Sequence, residues 1–86
     1  PSNGASLLSS KANTFDWSDV AGASSYTIEI DDASGFSAPL VLTNTLSVSQ
    51  IPVTSLPVRR LYWRVRANGS NGIAGPWSSV RRFDVK

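Results

Sequence analysis

The sequence predicts an all-β domain, a seven-stranded antiparallel sandwich, and three observations lead to this fold class. Turn-forming residues recur about every eight to twelve residues, and the segments between them alternate apolar and polar side chains. No segment shows the i, i+3, i+4, i+7 spacing of an amphipathic helix. The chain has 86 residues, which suits one core, so we expect a single domain over residues 1–86.

The clearest alternation lies in segment 61–67, which predicts a strand with one buried and one exposed face. Its odd-numbered residues are apolar, whereas its even-numbered residues are Tyr62, Arg64 and Arg66. Because successive side chains of a strand point to opposite faces, we expect the apolar set to face the core. A sheet that is covered on one face only is typical of antiparallel sandwiches.

The first two predicted strands are short and lie at 6–9 and 12–17. In the second strand, Phe15 and Trp17 are two residues apart and therefore point to the same face, which we expect to be the core. The turn that follows contains Gly22, where the missing Cβ of glycine permits a positive φ.

The third and fourth predicted strands are 25–31 and 39–43. The inward side chains of the third strand are those of Tyr26, Ile28 and Ile30. Phe36 follows a turn at 32–35, and we expect its ring to fold back against the base of that turn. Because proline lacks a backbone N–H, Pro39 places the fourth strand at a sheet edge.

The last three predicted strands are 45–51, 60–67 and 78–85. Pro52 and Pro57 bracket a loop before the sixth strand, because proline cannot pair regularly. The inward side chains of the seventh strand are those of Phe83 and Val85. Seven short strands in a chain of 86 residues are typical of an immunoglobulin-like sandwich.

Five segments carry a further pattern of strands and turns. They are, in chain order, 14–17 (TFDW), 20–26 (VAGASSY), 31–37 (DDASGFS), 62–67 (YWRVRA) and 75–78 (GPWS). In this order they resemble the fibronectin type III domain in the form found in bacterial extracellular proteins, and the match covers nearly the whole chain.

One position departs from that family. An inward tyrosine usually starts the sixth strand, and its hydroxyl bonds to nearby backbone. Leu61 points to the same face as Trp63 and therefore occupies that position here. Either Leu61 packs in the core in place of the tyrosine, or a one-residue register shift turns Tyr62 inward to take the role of the tyrosine. A one-residue shift would expose Trp63, which favours the first alternative.

The composition excludes several classes of function. The chain has no cysteine and no histidine, which removes disulfides, thiol catalysis, Ser-His-Asp triads and the usual zinc sites. The formal net charge is only +2, so we expect no nucleic-acid binding. No apolar run approaches the length of a membrane-spanning helix, so we expect no membrane insertion.

The carboxylates do not predict an active site. Asp31 and Asp32 are adjacent in the sequence and would face opposite sides of a strand. Asp16 and Asp19 could meet across a turn, but no cleft is predicted around them. A weak calcium site at Asp31, Asp32 and Ser34 has too few ligands. We therefore expect no catalytic residue, no cofactor and no metal.

The most conspicuous candidate surface is the polar face of the sixth strand together with the start of the seventh. Its residues are Tyr62, Arg64, Arg66 and Trp77. One interpretation is an internal ladder, in which arginines stack on Trp77 and pair across strands with Glu29 and Asp84. The other is a surface for a carbohydrate, an acidic polymer or a protein partner. The first is the more common arrangement in sheets.

The resemblance implies a non-catalytic spacer or accessory module of a larger extracellular or cell-surface bacterial protein, such as a polysaccharide-degrading enzyme. The module would be monomeric and rigid, with termini at opposite ends, and its partners would be neighbouring domains of the same polypeptide. The alternative is a carbohydrate- or protein-binding adhesion module. Asn68-Gly69-Ser70 is a glycosylation acceptor sequence in a predicted loop.

Overall fold

The computed structural model describes residues 3–37 and 40–86, and the regular secondary structure of these residues is entirely β. The strands are β1 (Ala5–Leu7), β2 (Asn13–Asp16), β3 (Ala23–Asp31), β4 (Leu42–Leu46), β5 (Gln50–Val53), β6 (Arg60–Gly69) and β7 (Arg81–Val85). The all-β prediction is therefore confirmed for the described residues.

The strands form a sheet of five, in the order β1-β7-β6-β3-β4, and a sheet of two, β2-β5. Every pairing is antiparallel except that of β1 with β7, which is parallel and places Ala5 opposite Phe83. The prediction of a wholly antiparallel sandwich is wrong at this pairing. Parallel neighbours need a long connection, and the chain between β1 and β7 provides one.

The fourth and fifth strands lie later in the chain than their predicted ranges, 39–43 and 45–51. Leu42 lies opposite Ile30 and Leu46 opposite Tyr26, so the register places apolar residues of β4 beside apolar residues of β3. The predicted edge position of the fourth strand is confirmed, although Pro39, on which it was based, lies outside the described residues.

Pro52 lies within β5, opposite Thr14, rather than in a loop. The prediction failed here because, among the strands of the described residues, β5 pairs with β2 alone, so it is an edge strand. An edge strand tolerates proline, since the N–H groups on its free side have no partner strand to bind.

The core lies between the two sheets and is centred on aromatic rings. The Phe15 ring of β2 contacts Trp63 of β6 and Phe83 of β7 edge-to-face, each with a centroid distance of 5.3 Å. The predicted inward orientation is confirmed by burial at Phe15, Tyr26, Ile28, Ile30, Leu61, Trp63, Phe83 and Val85. Aromatic contacts therefore join the small sheet to the large one.

Leu61 is fully buried, while Tyr62 is only partly buried on the other face of β6. This burial confirms that Leu61 points into the core and that no register shift turns Tyr62 inward. A tyrosine-to-backbone bond nevertheless exists elsewhere, because the hydroxyl of Tyr26 accepts a 2.9 Å hydrogen bond from the N–H of Val20, six residues upstream. Tyr26 thus fixes the turn that leads into β3.

The parallel pairing of β1 and β7 determines how the chain enters and leaves the domain. Gly4 N donates to Arg82 O at 2.7 Å, and Lys86 N donates to Leu7 O at 2.8 Å. Asn3, bonded to the N–H of Arg82, therefore lies about four residues of strand, or ~13 Å, from Lys86. Because the pairing is parallel, β1 begins at one end of the pair and β7 ends at the other. Residues 1 and 2 lie outside the described residues, so termini at opposite ends of the domain stay a prediction.

Replacing Trp63 should remove the centre of the core. Trp63 is 1% exposed, so Trp63→Ala should lower the free energy of unfolding by about 3–5 kcal/mol through cavity formation. Urea unfolding followed by circular dichroism measures this loss. Val58→Ala, at a site that is 67% exposed, is the control and should cost less than about 0.5 kcal/mol. Equal stability of the two variants would contradict the inward orientation of Trp63.

Removing the Tyr26 hydroxyl should leave the N–H of Val20 without its partner. Tyr26→Phe should therefore destabilise the domain by about 1 kcal/mol. Tyr62→Phe is the matched control, because the Tyr62 hydroxyl forms no hydrogen bond to a described residue, and it should be neutral within about 0.5 kcal/mol. A neutral Tyr26→Phe variant in the same unfolding assay would show that the bond does not fix the turn.

Candidate functional site

The polar face of the large sheet carries a stack of side chains that we call the outer ladder, consisting of Glu29, Phe36, Arg64, Arg66 and Trp77. The register places Glu29 of β3 directly opposite Arg64 of β6. Arg66 follows two residues later on the same face, because side chains alternate along a strand. The outer ladder is thus a product of strand pairing.

Arg64 is the centre of the outer ladder. Its Nε and Nη2 atoms donate to Oε1 of Glu29 at 3.0 and 2.8 Å. Its guanidinium carbon lies 4.3 Å from the ring centroid of Phe36 and 4.1 Å from that of Trp77. Both distances are within the range of cation–π attraction, so the charge of Arg64 is satisfied inside the protein.

Phe36 reaches this position by a local backbone feature. It has a φ of 52°, which is uncommon for a residue with a side chain, and its N–H donates to Ala33 O at 3.2 Å. The ring is buried, as the prediction that it folds back requires, and Arg64 lies over it. The turn after β3 therefore forms one end of the outer ladder.

Trp77 reaches the outer ladder because the segment before β7 continues to bind the edge of β6. Gly75 N donates to Ala67 O and Ser78 N donates to Val65 O, both at 2.8 Å. The guanidinium carbon of Arg66 lies 4.3 Å from the centroid of Trp77. The structure therefore brings together three of the four predicted surface residues, namely Arg64, Arg66 and Trp77.

Tyr62 lies on the same face of β6 but opposite Asp31 and Arg82. No aromatic or cation–π contact between described residues joins Tyr62 to the outer ladder. Whether the four residues form a ligand surface stays a prediction. The predicted internal contacts, Arg64 with Glu29 and the stacking on Trp77, are present.

Two further ion pairs involve Arg59 and Arg60, at the start of β6. Arg60 binds Asp84 at 3.1 Å, as the sequence predicted for a cross-strand pair, and Arg59 binds Asp32 at 2.7 Å. Neither Arg66 nor Arg81 forms an ion pair with a described carboxylate. The guanidinium groups of Arg66 and Arg81 are therefore not neutralised by a described carboxylate.

Both residues line a groove that the sequence did not predict. The groove has a volume of about 490 Å³, and we call it the tryptophan groove; its walls include Trp17, Tyr26, Trp63, Val65, Pro76 and Arg81. The sequence assigned Trp17 and Trp63 to the core by their parity. The small sheet has only two strands and faces a sheet of five, so an inward side chain need not be covered.

Asn68 and Gly69 of the acceptor sequence lie at the end of β6 rather than in the predicted loop, and Ser70 follows in a turn. The Nδ2 of Asn68 donates to Ser25 Oγ at 3.2 Å and to Thr27 Oγ1 at 3.1 Å. The amide that a glycan would modify is therefore engaged in side-chain bonds between strands.

Asp31 and Asp32 diverge, as their adjacency predicted. Asp31 is 2% exposed, whereas Asp32 is exposed and pairs with Arg59. Within 3–37 and 40–86, no three or more acidic side chains gather in a way that could hold a metal ion. The described part of the chain also contains no helix long and apolar enough to cross a membrane.

Comparisons of the chain with protein-family models, with curated proteins and with solved structures find no match.

Removing Arg64 tests whether the outer ladder stabilises the sheet. Arg64→Ala should cost about 2 kcal/mol, because it breaks the pair with Glu29, leaves the Phe36 ring without its cation and leaves Trp77 with Arg66 alone. The side chains of Arg64 and Glu29 are only 23% and 17% exposed, so solvent screens this pair less than an open one.

Arg59→Ala is the matched control, because its pair with Asp32 has side chains that are 55% and 46% exposed. It should cost about 0.5 kcal/mol or less in the same denaturation experiment. A double-mutant cycle with Glu29→Gln isolates the pairwise energy, which should be about 1 kcal/mol. A coupling energy of zero would show that Arg64 and Glu29 are close but do not stabilise each other.

Proposed function

We propose that this chain is a non-catalytic module of the fibronectin type III kind, which spaces and orients neighbouring domains within a larger extracellular bacterial protein. The parent would be a polysaccharide-degrading enzyme or a surface protein. The partners of the module would be the domains that precede and follow it, and the module itself would act as a monomer.

The observation that carries this proposal is the parallel pairing of β1 with β7. Because the two strands run in the same direction, the chain arrives from one side of the domain and leaves toward the other. A neighbour joined before β1 and a neighbour joined after β7 would therefore be directed apart, even though the two joints lie close together. A domain with this geometry separates its neighbours without any chemistry of its own.

The strand order supports an immunoglobulin-like sandwich as the fold of this module. In such sandwiches the third, sixth and seventh strands share one sheet, while the second pairs with the fifth-placed strand in the other. The order β7-β6-β3 and the pair β2-β5 agree with that arrangement. The parallel β1 is the departure from it.

The state of the charged residues also favours a spacer. Arg59, Arg60 and Arg64 each bind a carboxylate of a neighbouring segment or strand. These cations serve contacts within the domain, and the outer ladder stiffens the sheet between its two ends. Rigidity is the property that a spacer requires.

A distance measurement between two flanking domains tests the proposal. The chain, which has no cysteine, is placed between two folded reporter domains that each carry one spin label, and pulsed electron paramagnetic resonance gives the distance distribution. We expect one narrow distribution. A glycine–serine linker of equal length is the control, with a root-mean-square span of about 50 Å and a broad distribution.

The Trp63→Ala variant, placed between the same reporters, should broaden the distribution as the core loosens. A distribution for the wild-type module that is as broad as that of the linker would overturn the spacer proposal.

The alternative function, binding of a carbohydrate or a protein, draws its support from the tryptophan groove.

A further inference from the structure

The buried polar atoms of the domain point to the tryptophan groove. Three buried side-chain nitrogens in the described residues lack a hydrogen-bond partner: Nε1 of Trp17, Nε1 of Trp63 and Nε of Arg66. All three belong to residues that line this groove. Buried donors are almost always paired in native structures, so three unpaired donors on the residues of one groove mark it as the least satisfied polar region of the described residues.

The charge of the groove is one-sided. Arg66 and Arg81 contribute two cations, and no described aspartate or glutamate is among the lining residues. Arg66 is held by its stack on Trp77, and the guanidinium carbon of Arg81 lies 5.4 Å from the ring centroid of Trp63. The groove therefore offers donors and positive charge but no compensating anion.

The remaining walls are apolar. Val65, Ala67 and Pro76 line the groove, together with the partly buried ring of Trp17. A purely polar anion such as sulfate would use the arginines but gain nothing from these walls. A ligand that fits both has an apolar face, several acceptor oxygens and a negative charge.

We propose that the tryptophan groove binds an acidic saccharide, a pyranose chain that carries carboxylates. The C–H face of a sugar ring would pack against Trp17 and Pro76, and its carboxylate would pair with Arg81. The groove adjoins the outer ladder, because Arg66 and Trp77 belong to both. The proposal does not rest on the spacer function, because a spacer can exist with or without such a site.

Nuclear magnetic resonance of the indole N–H groups tests the site directly. The chain has three tryptophans, so three indole cross-peaks are expected, and Trp17→Phe and Trp77→Phe assign them. The probe is a tetramer of α-1,4-linked galacturonic acid, and its methyl ester is the control, since esterification removes the charge and keeps the sugar. We expect saturable shifts of the Trp17 and Trp63 peaks and at least tenfold weaker binding of the ester.

Two arginine variants separate a site from general ion attraction. Arg81→Gln should weaken binding of the tetramer at least fivefold. Arg82→Gln, an exposed neighbour on β7 that does not line the groove, removes the same charge and should change binding less than twofold. Both residues are exposed, so both variants should keep the fold, which the dispersion of the amide spectrum checks.

Three outcomes would overturn the proposal. They are the absence of saturable shifts in a folded sample, equal binding of the acid and its ester, and equal weakening by Arg81→Gln and Arg82→Gln. Each of these results leaves the distance measurement on the spacer unaffected, so the two proposals fail separately.

Discussion

The structure depends on strand β6, whose alternate residues must satisfy two opposite environments. Toward the small sheet, Leu61 and Trp63 complete the core, with Phe15 packed edge-on against the indole. Away from it, Arg64 is held between two rings and a carboxylate. A shift of one residue would place charge in the core and indole in water, so a single register serves both faces.

The sequence predicted well those strands in which the alternation of apolar and polar side chains extends over enough residues to be unambiguous. The alternation in β3, β6 and the end of β7 predicted the buried faces, and the outward arginines predicted the stacking on Trp77. The pairing of β1, the later position of β4 and Pro52 inside β5 depend on which strands become neighbours. No local pattern contains that information, because pairing is a property of distant segments.

The tryptophan groove was missed for a related reason. Parity predicts the direction of a side chain but not whether a second layer covers it. The sheet of two strands covers only part of the sheet of five, and the segment before β7 stays beside β6 instead of closing over it. A domain of this size thus combines a dry aromatic core with an open aromatic edge, and the same residue, Trp63, belongs to both.

The parallel pairing of β1 and β7 also has a mechanical consequence. When tension is applied through the flanking chain, β1 is drawn backward and β7 forward, so the two strands are forced to slide past each other. The bonds that join Gly4 to Arg82 and Leu7 to Lys86 then carry the force together rather than one after another. Shear of this kind resists extension more strongly than peeling, which makes the junction of the first and last strands the clamp of the domain under load.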